Sequence, residues 1–160
     1  MIEHFLREDT IQIKFSSERH DPLKDLIREL PVWCFEGSHR HGLLEQIRER
    51  HLKPMQWVRE GVAFLGCRYA GVSLPVAAMG IFKKGFPFEF SEQDFIHLLI
   101  VLILPESGEA ESVYKKVFDE LRDIFYDRFL QERIKISSSP KEVYTLLFKN
   151  VPRHLPIAVA

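Results

Sequence analysis

Few side chains in this sequence could do chemistry, and they are scattered. It holds seven histidines and two cysteines. His39 and His41 flank Arg40. A zinc centre needs histidines at i, i+4 on a helix or alternating on a strand, with further ligands nearby. No cysteine pair accompanies these two histidines, so the pair reads as a solvated helix start and no metal is expected. The glycine-rich phosphate cradles GxxxxGK[ST] and GxGxxG are missing, as is the GxSxG elbow of a serine hydrolase. No cofactor is therefore expected. Cys67 stands beside Arg68, a cation that would favour a nucleophilic thiolate. The plainer reading of Cys67 is a small buried residue on a strand. His97 opens an apolar run and reads as a core histidine. His51 reads as a helix-end residue suited to the helix dipole. His4, His20 and His154 lie near termini or loops and read as solvated.

The bulk properties narrow the classes. The chain of 160 residues fits one domain; 46% of it is hydrophobic and 28% charged, an ordinary globular mix. A formal charge of −1, with acids and bases interleaved, gives no electrostatic reason to expect nucleic acid or an anionic membrane as partner. The distant cysteines suggest reduced thiols in the cytoplasm. Met1 to Glu8 lacks the apolar core of a signal peptide. The longest apolar run, Leu98 to Leu104, is far short of the ~20 residues of a membrane helix, so no direct membrane insertion is expected.

The elements that must position these residues follow from periodicity. Ile11, Ile13 and Phe15 alternate with polar residues, as in a half-buried strand. Ser16 and Ser17 open a helix over about Asp21 to Glu29, with Leu23, Leu26, Ile27 and Leu30 on one face, and Pro31 stops it. After a break at Gly37-Ser38, the residues Leu43, Leu44 and Ile47 form a second helical stripe that ends at Lys53-Pro54. Val62 to Tyr69 and Val76 to Phe82 read as strands joined through the turn Ala70-Gly71, with Lys83-Lys84-Gly85 closing the second. Phe86 to Asp94 reads as loop. The run His97 to Leu104, bounded by Pro105, reads as a strand buried on both faces. Glu109 to Tyr126 is a helix with Val113, Val117, Leu121 and Phe125 inward. Ser138-Ser139-Pro140 with Glu142 opens a last one. The order β-α-α-β-β-β-α-α predicts an α/β fold with a mixed sheet of about four to five strands flanked by helices. Residues 1–150 form the domain, and 151–160, with Pro152 and Pro156, an irregular arm.

Five strings in this order resemble one family. They are Phe5-Leu6-Arg7-Glu8-Asp9-Thr10-Ile11; Leu43 to Glu49, ending Ile47-Arg48-Glu49; Leu74-Pro75-Val76-Ala77-Ala78-Met79-Gly80; His97 through Pro105-Glu106; and Ser138 through Leu147. Over about Ile2 to Lys149 the chain resembles the mannitol/fructose-type IIA domain of the bacterial sugar phosphotransferase system, including its nitrogen-regulatory branch. The resemblance implies that fold. It also implies that Gly61-Val62-Ala63-Phe64-Leu65-Gly66-Cys67-Arg68 corresponds to the catalytic strand. There the family has proline at the position of Leu65 and its phosphoryl-accepting histidine at that of Gly66. Pro54 to Glu60 replaces the family's glycine-rich loop, with Trp57 and Glu60 adding bulk and negative charge. Ser112 stands for a further histidine at the start of the long helix.

Glycine has no nucleophile, and a phosphocarrier needs an exposed, neutral imidazole nitrogen ringed by donors. The resemblance with these departures implies a degenerate IIA-like module, regulatory or protein-binding, with no catalytic residue. Its expected partner is a phosphotransferase-system component, a transporter or a regulator. The alternative is an active phosphocarrier using a displaced histidine, His97 or His51. A third possibility is a reactive-thiol role for Cys67. Arg48, with Arg50 as its alternative, and Arg68 are expected to face an anion in a cleft kept near Gly66, or simply to solvate the ends of their elements. Trp57 is expected at a contact surface or as a plug of the cleft.

Overall fold

The computed structural model describes residues 1–14, 21–36, 40, 42–50, 56–89 and 95–149; at 50 and 56–59 it describes the backbone. At its centre lies β5 (Phe95–Leu104), whose residues from Leu98 to Leu104 are all buried. An apolar strand of this length needs a neighbour on each edge and cover on each face. Antiparallel β4 (Val76–Pro87) and parallel β3 (Val62–Arg68) supply the edges. Parallel β1 (Leu6–Lys14) and antiparallel β2 (Gln56–Arg59) complete a five-stranded mixed sheet in the order β1-β4-β5-β3-β2.

Two cores cover the faces. One joins Phe64, Leu98, Ile100 and Leu102 of the sheet to α1 (Ile2–Phe5), α4 (Ala110–Phe125), α5 (Arg128–Lys135) and α6 (Pro140–Phe148). The other joins Ala63, Leu65, Leu99 and Val101 to α2 (Pro22–Arg28), the 3-10 turn Val32–Cys34 and α3 (Leu43–Arg50). This three-layer α/β arrangement agrees with the expected fold class. No helix among the described residues is long and apolar enough to cross a membrane.

The structure corrects the element boundaries in several places. The stretch read as a loop before Glu60 contains β2, which is joined to β3 by a two-residue hairpin, with Arg59 opposite Val62. The linking Glu60 and Gly61 both have positive φ, 48° and 88°, the geometry that fits the twist of paired strands. The second strand does not close at Gly85. It continues to Pro87 across a register shift, with Gly85 at φ 71° and the Phe95 ring against it. Asp21, not the two serines, caps α2 by accepting from the Lys24 amide at 3.2 Å, with Pro22 in the first turn. α1 and α5 are additional; the buried apolar residues of α5 are Leu130 and Ile134, too short a stripe for periodicity to expose. β1 does not alternate, because helices cover both its faces: Gln12 is buried and donates to the Leu26 carbonyl at 2.9 Å. Ser16, Ser17, Gly37, Ser38, Lys53, Pro54 and the arm 151–160 lie outside the described residues.

The last helix starts as expected. Ser139 Oγ accepts from the Glu142 amide at 3.2 Å, and Glu142 accepts in return from the Ser138 amide at 3.2 Å. Replacing Ser139 by Ala is expected to cost about 1 kcal/mol of stability. A urea midpoint unchanged by Ser139→Ala would show that this cap contributes nothing.

Candidate functional site

β3 sorts the candidate residues by face. Val62 and Phe64 enter the core beneath α4; Ala63, Leu65 and Cys67 enter the core beneath α3. By the two-residue period of a strand, Gly66 and Arg68 share the α4 side. Above Gly66 lies Tyr114 of α4. A Cβ built on Gly66 would stand 2.3 Å from Tyr114 Cδ2 and 2.5 Å from Cε2. The Tyr114 ring is stacked on Phe64, with centroids 4.6 Å apart and planes within 3°. The stack fills the space a side chain at position 66 would need.

Tyr114 is the residue that periodicity missed. The inward face of α4 runs Tyr114, Val117, Leu121, Phe125, while Val113 is only partly buried. The spacing i, i+3, i+7, i+11 carried that signal, but a row of apolar residues at i, i+4 from Val113 competed with it. Only 4% of Tyr114 is exposed, its hydroxyl has no hydrogen-bond partner among the described residues, and burial pushes its pKa up. Ser112, two residues earlier, is exposed.

The two arginine candidates are not brought together. Arg68, on the α4 side, reaches Glu111 at 3.2 Å, while its buried Nε has no partner among the described residues. Arg48, on α3, lies beyond the opposite face. It pairs with Asp21 and, at 3.0 Å, with Glu89; the Glu89 hydrogen bond is the largest influence raising its pKa. A guanidinium held by two carboxylates has no free fork for an anion, so Arg48 braces α2, α3 and the end of β4. The backbone of Arg50 is in α3; its side chain is outside the described residues. Glu60 is also displaced from the expected site: it sits in the hairpin before β3 and pairs with Arg128 at 2.6 Å. Trp57 lies on β2 opposite Phe64, and its side chain is outside the described residues.

His97 stands at the far end of the sheet. Gly66 pairs with Leu102, so five residues of β5, roughly 17 Å of strand, separate the two. Its ring is half-buried, with Nδ1 3.3 Å from the Phe82 carbonyl and Phe95 packed edge-on. His39, His41 and His51 lie outside the described residues, and among those described no three metal-ligating side chains cluster.

The reactive-thiol reading of Cys67 meets an obstacle. Cys67 is fully buried, and burial, then the charge of Glu106, pushes its pKa to about 12. Cys34 is raised to about 11, first by burial and then by Asp9. A thiolate is the nucleophile, so neither thiol is activated. Both are free of disulfides.

Two measurements check this geometry. Gly66→Ala is expected to lose about 1–3 kcal/mol through overpacking, and the loss should shrink in a Tyr114→Leu background. An equal penalty in both backgrounds would mean that the ring is not what restricts position 66. Both thiols are expected to resist alkylation at pH 8 until the chain unfolds. Their folded pKa values exceed the free-thiol value of about 8.5, so the stability they hold is complete below that pH and declines as pH rises toward 11–12. Rapid labelling of folded protein at pH 8 is the contrary result.

Comparison with known proteins agrees with this architecture. Residues 5–150 match the family model described as phosphoenolpyruvate-dependent sugar phosphotransferase system, EIIA 2. Comparison with curated protein sequences finds no match. Among solved structures, nitrogen regulatory protein IIA-Ntr from Neisseria meningitidis is similar at 20% identity and TM-score 0.70, covering 91% of this chain and 98% of its own. IIA mannitol from Escherichia coli is similar at 16% identity and TM-score 0.60, covering 88% and 97%. The Escherichia coli complex of enzyme IIA mannitol with phosphorylated enzyme IIB gives 16% identity and TM-score 0.60, covering 89% and 98%. At these identities the structures show a shared fold, while the family match spans nearly the whole chain, and the protein belongs to the EIIA 2 family of the phosphoenolpyruvate-dependent sugar phosphotransferase system.

Proposed function

We propose that this IIA-type protein does not carry phosphoryl groups and works in the cytoplasm as a regulatory, protein-binding module of sugar transport or its control. The observation that carries the reading is the filled space above Gly66, where a Cβ would lie 2.3 Å from the Tyr114 ring. If Gly66 stands for the phosphoryl-accepting histidine, both the nucleophile and the room for one are lost. Phosphoryl transfer depends on positioning and on donors that neutralise charge at the phosphoryl oxygens. At this place an apolar stack stands instead, and the neighbouring cation, Arg68, is engaged by Glu111.

A displaced histidine is the competing reading. His97 does not reach the same end of the sheet, and the Phe82 carbonyl faces its Nδ1. Enzyme IIA mannitol, which shares this fold, forms a complex with phosphorylated enzyme IIB, which supports a binding role.

The test is incubation with the phosphorylated general phosphocarrier protein of the same system, followed by assay for acid-labile phosphate. The expected result is no transfer to the native chain, and none to Gly66→His alone, because Tyr114 still occupies the space. Phosphate chased onto any histidine of the native protein would falsify the proposal.

A further inference from the structure

The sheet end that carries Gly66 also carries an exposed apolar feature with a cation beside it. In the 3-10 turn Val32–Cys34, Cys34 turns into the core, which leaves Val32 75% exposed and Trp33 48% exposed. Leu74, in the loop before β4, is 72% exposed. Exposed singly, such residues mean little; here Trp33 and Leu74 line one cavity of about 180 Å³ with Phe5, Arg7 and Val76. Its remaining lining residues are His4, Cys34, Ser73 and Pro75, so no carboxylate lines it.

Trp33 is held in place although it faces solvent. Its indole N–H donates to Asp9 Oδ2 at 2.7 Å, and the Arg7 guanidinium lies 4.9 Å from the ring centroid. Both partners come from β1, so the sheet fixes the indole before anything binds. A preordered aromatic side chain loses little conformational freedom on association. Asp9 holds the indole from outside the lining, its carboxylate accepting from the N–H. Arg7 makes no ion pair among the described residues, so its charge is available to a ligand. Tryptophan and arginine beside a pocket are the residue types that dominate protein interfaces.

The position on the fold points the same way. Leu6 is level with Ala77, Val76 with Ile103, and Ile103 with Cys67. The cavity therefore opens at the Gly66–Arg68 end of the sheet, three strands or about 14 Å across. A partner burying the usual ~800 Å² per side would cover both.

From these contacts we infer that the Trp33–Leu74 cavity is a docking site for an acidic segment of a protein partner, which inserts one apolar side chain between Trp33 and Leu74 and sets a carboxylate on Arg7. The inference rests on the protein-binding reading of this fold and names where and to what it binds.

The probe is an end-blocked peptide, Glu-Asp-Leu-Asp-Glu, titrated into the ¹⁵N-labelled full chain. The readout is the Trp33 indole N–H resonance, assigned through Trp33→Phe. The expected result is a saturable shift of that resonance, weakened tenfold or more by Arg7→Glu or Leu74→Glu. Phe129→Ala, which removes an exposed aromatic at the other end of the sheet, should change nothing. Amide dispersion of each variant reports folding, and Leu74 is exposed enough that its replacement leaves the core untouched. Five results each overturn the inference: no shift at millimolar peptide; equal binding of Lys-Lys-Leu-Lys-Lys; equal binding of the peptide with alanine in place of leucine; equal binding of acetate alone; and movement of the resonance with protein concentration alone, which would mean a second copy is the occupant. Phosphoryl transfer does not enter this readout. A failed titration therefore leaves the non-carrier proposal standing, and detected transfer leaves the docking site standing.

Discussion

The fold depends on burying β5 on both faces and both edges. Leu98 to Leu104 present an unbroken apolar surface that neither a single sheet edge nor one helix layer could cover. β4 and β3 take the two edges in opposite directions, which makes the sheet mixed. The two faces then require two helix layers, and the connections sort themselves accordingly. Helices α2 and α3 come before β3 in the chain and cover one face, while α4 to α6 follow β5 and, with α1, cover the other. β1 inherits the double cover, which is why a polar Gln12 is buried there and must find the Leu26 carbonyl.

Within that frame, one aromatic contact sets the chemical character of the site. Phe64 and Tyr114 stack nearly parallel between β3 and α4, and the Tyr114 ring edge rests against Gly66. Glycine and tyrosine are complementary here: the absent side chain makes room for the ring, and the ring excludes any side chain. The two positions are 48 residues apart, 114 less 66, and belong to different elements. Loss of a nucleophile and gain of a bulky neighbour are thus one packing event.

The charged residues considered for the site are mostly committed. Arg48 joins two carboxylates from separate elements, Arg68 meets Glu111, and Glu60 meets Arg128 at the other end of β3. Exposed pairs of this kind contribute little to stability, but they remove cations from the pool available to an anionic ligand. Arg7 differs because its neighbour is an aromatic face, which attracts the guanidinium without neutralising it.

Much of the fold was legible in the residues. The apolar run of β5, the helical stripe of α4, the serine cap with Pro140 and the turn Ala70-Gly71 are local patterns, and local patterns survive into the structure because backbone geometry enforces them. The hairpin at Glu60-Gly61 and the strand before it were hidden, since β2 acquires its identity only by pairing with β3. α5 was hidden because eight residues carry too few apolar positions to show a period. The sequence by itself determined that position 66 holds no nucleophile, since glycine has no side chain. Only the tertiary structure decided that the space is occupied, that Arg48 and Arg68 lie on opposite faces, and that Glu60 and His97 stand at the wrong end of the sheet. Those outcomes depend on which residues from distant elements meet across a strand or a helix, and spacing along the chain does not encode such meetings.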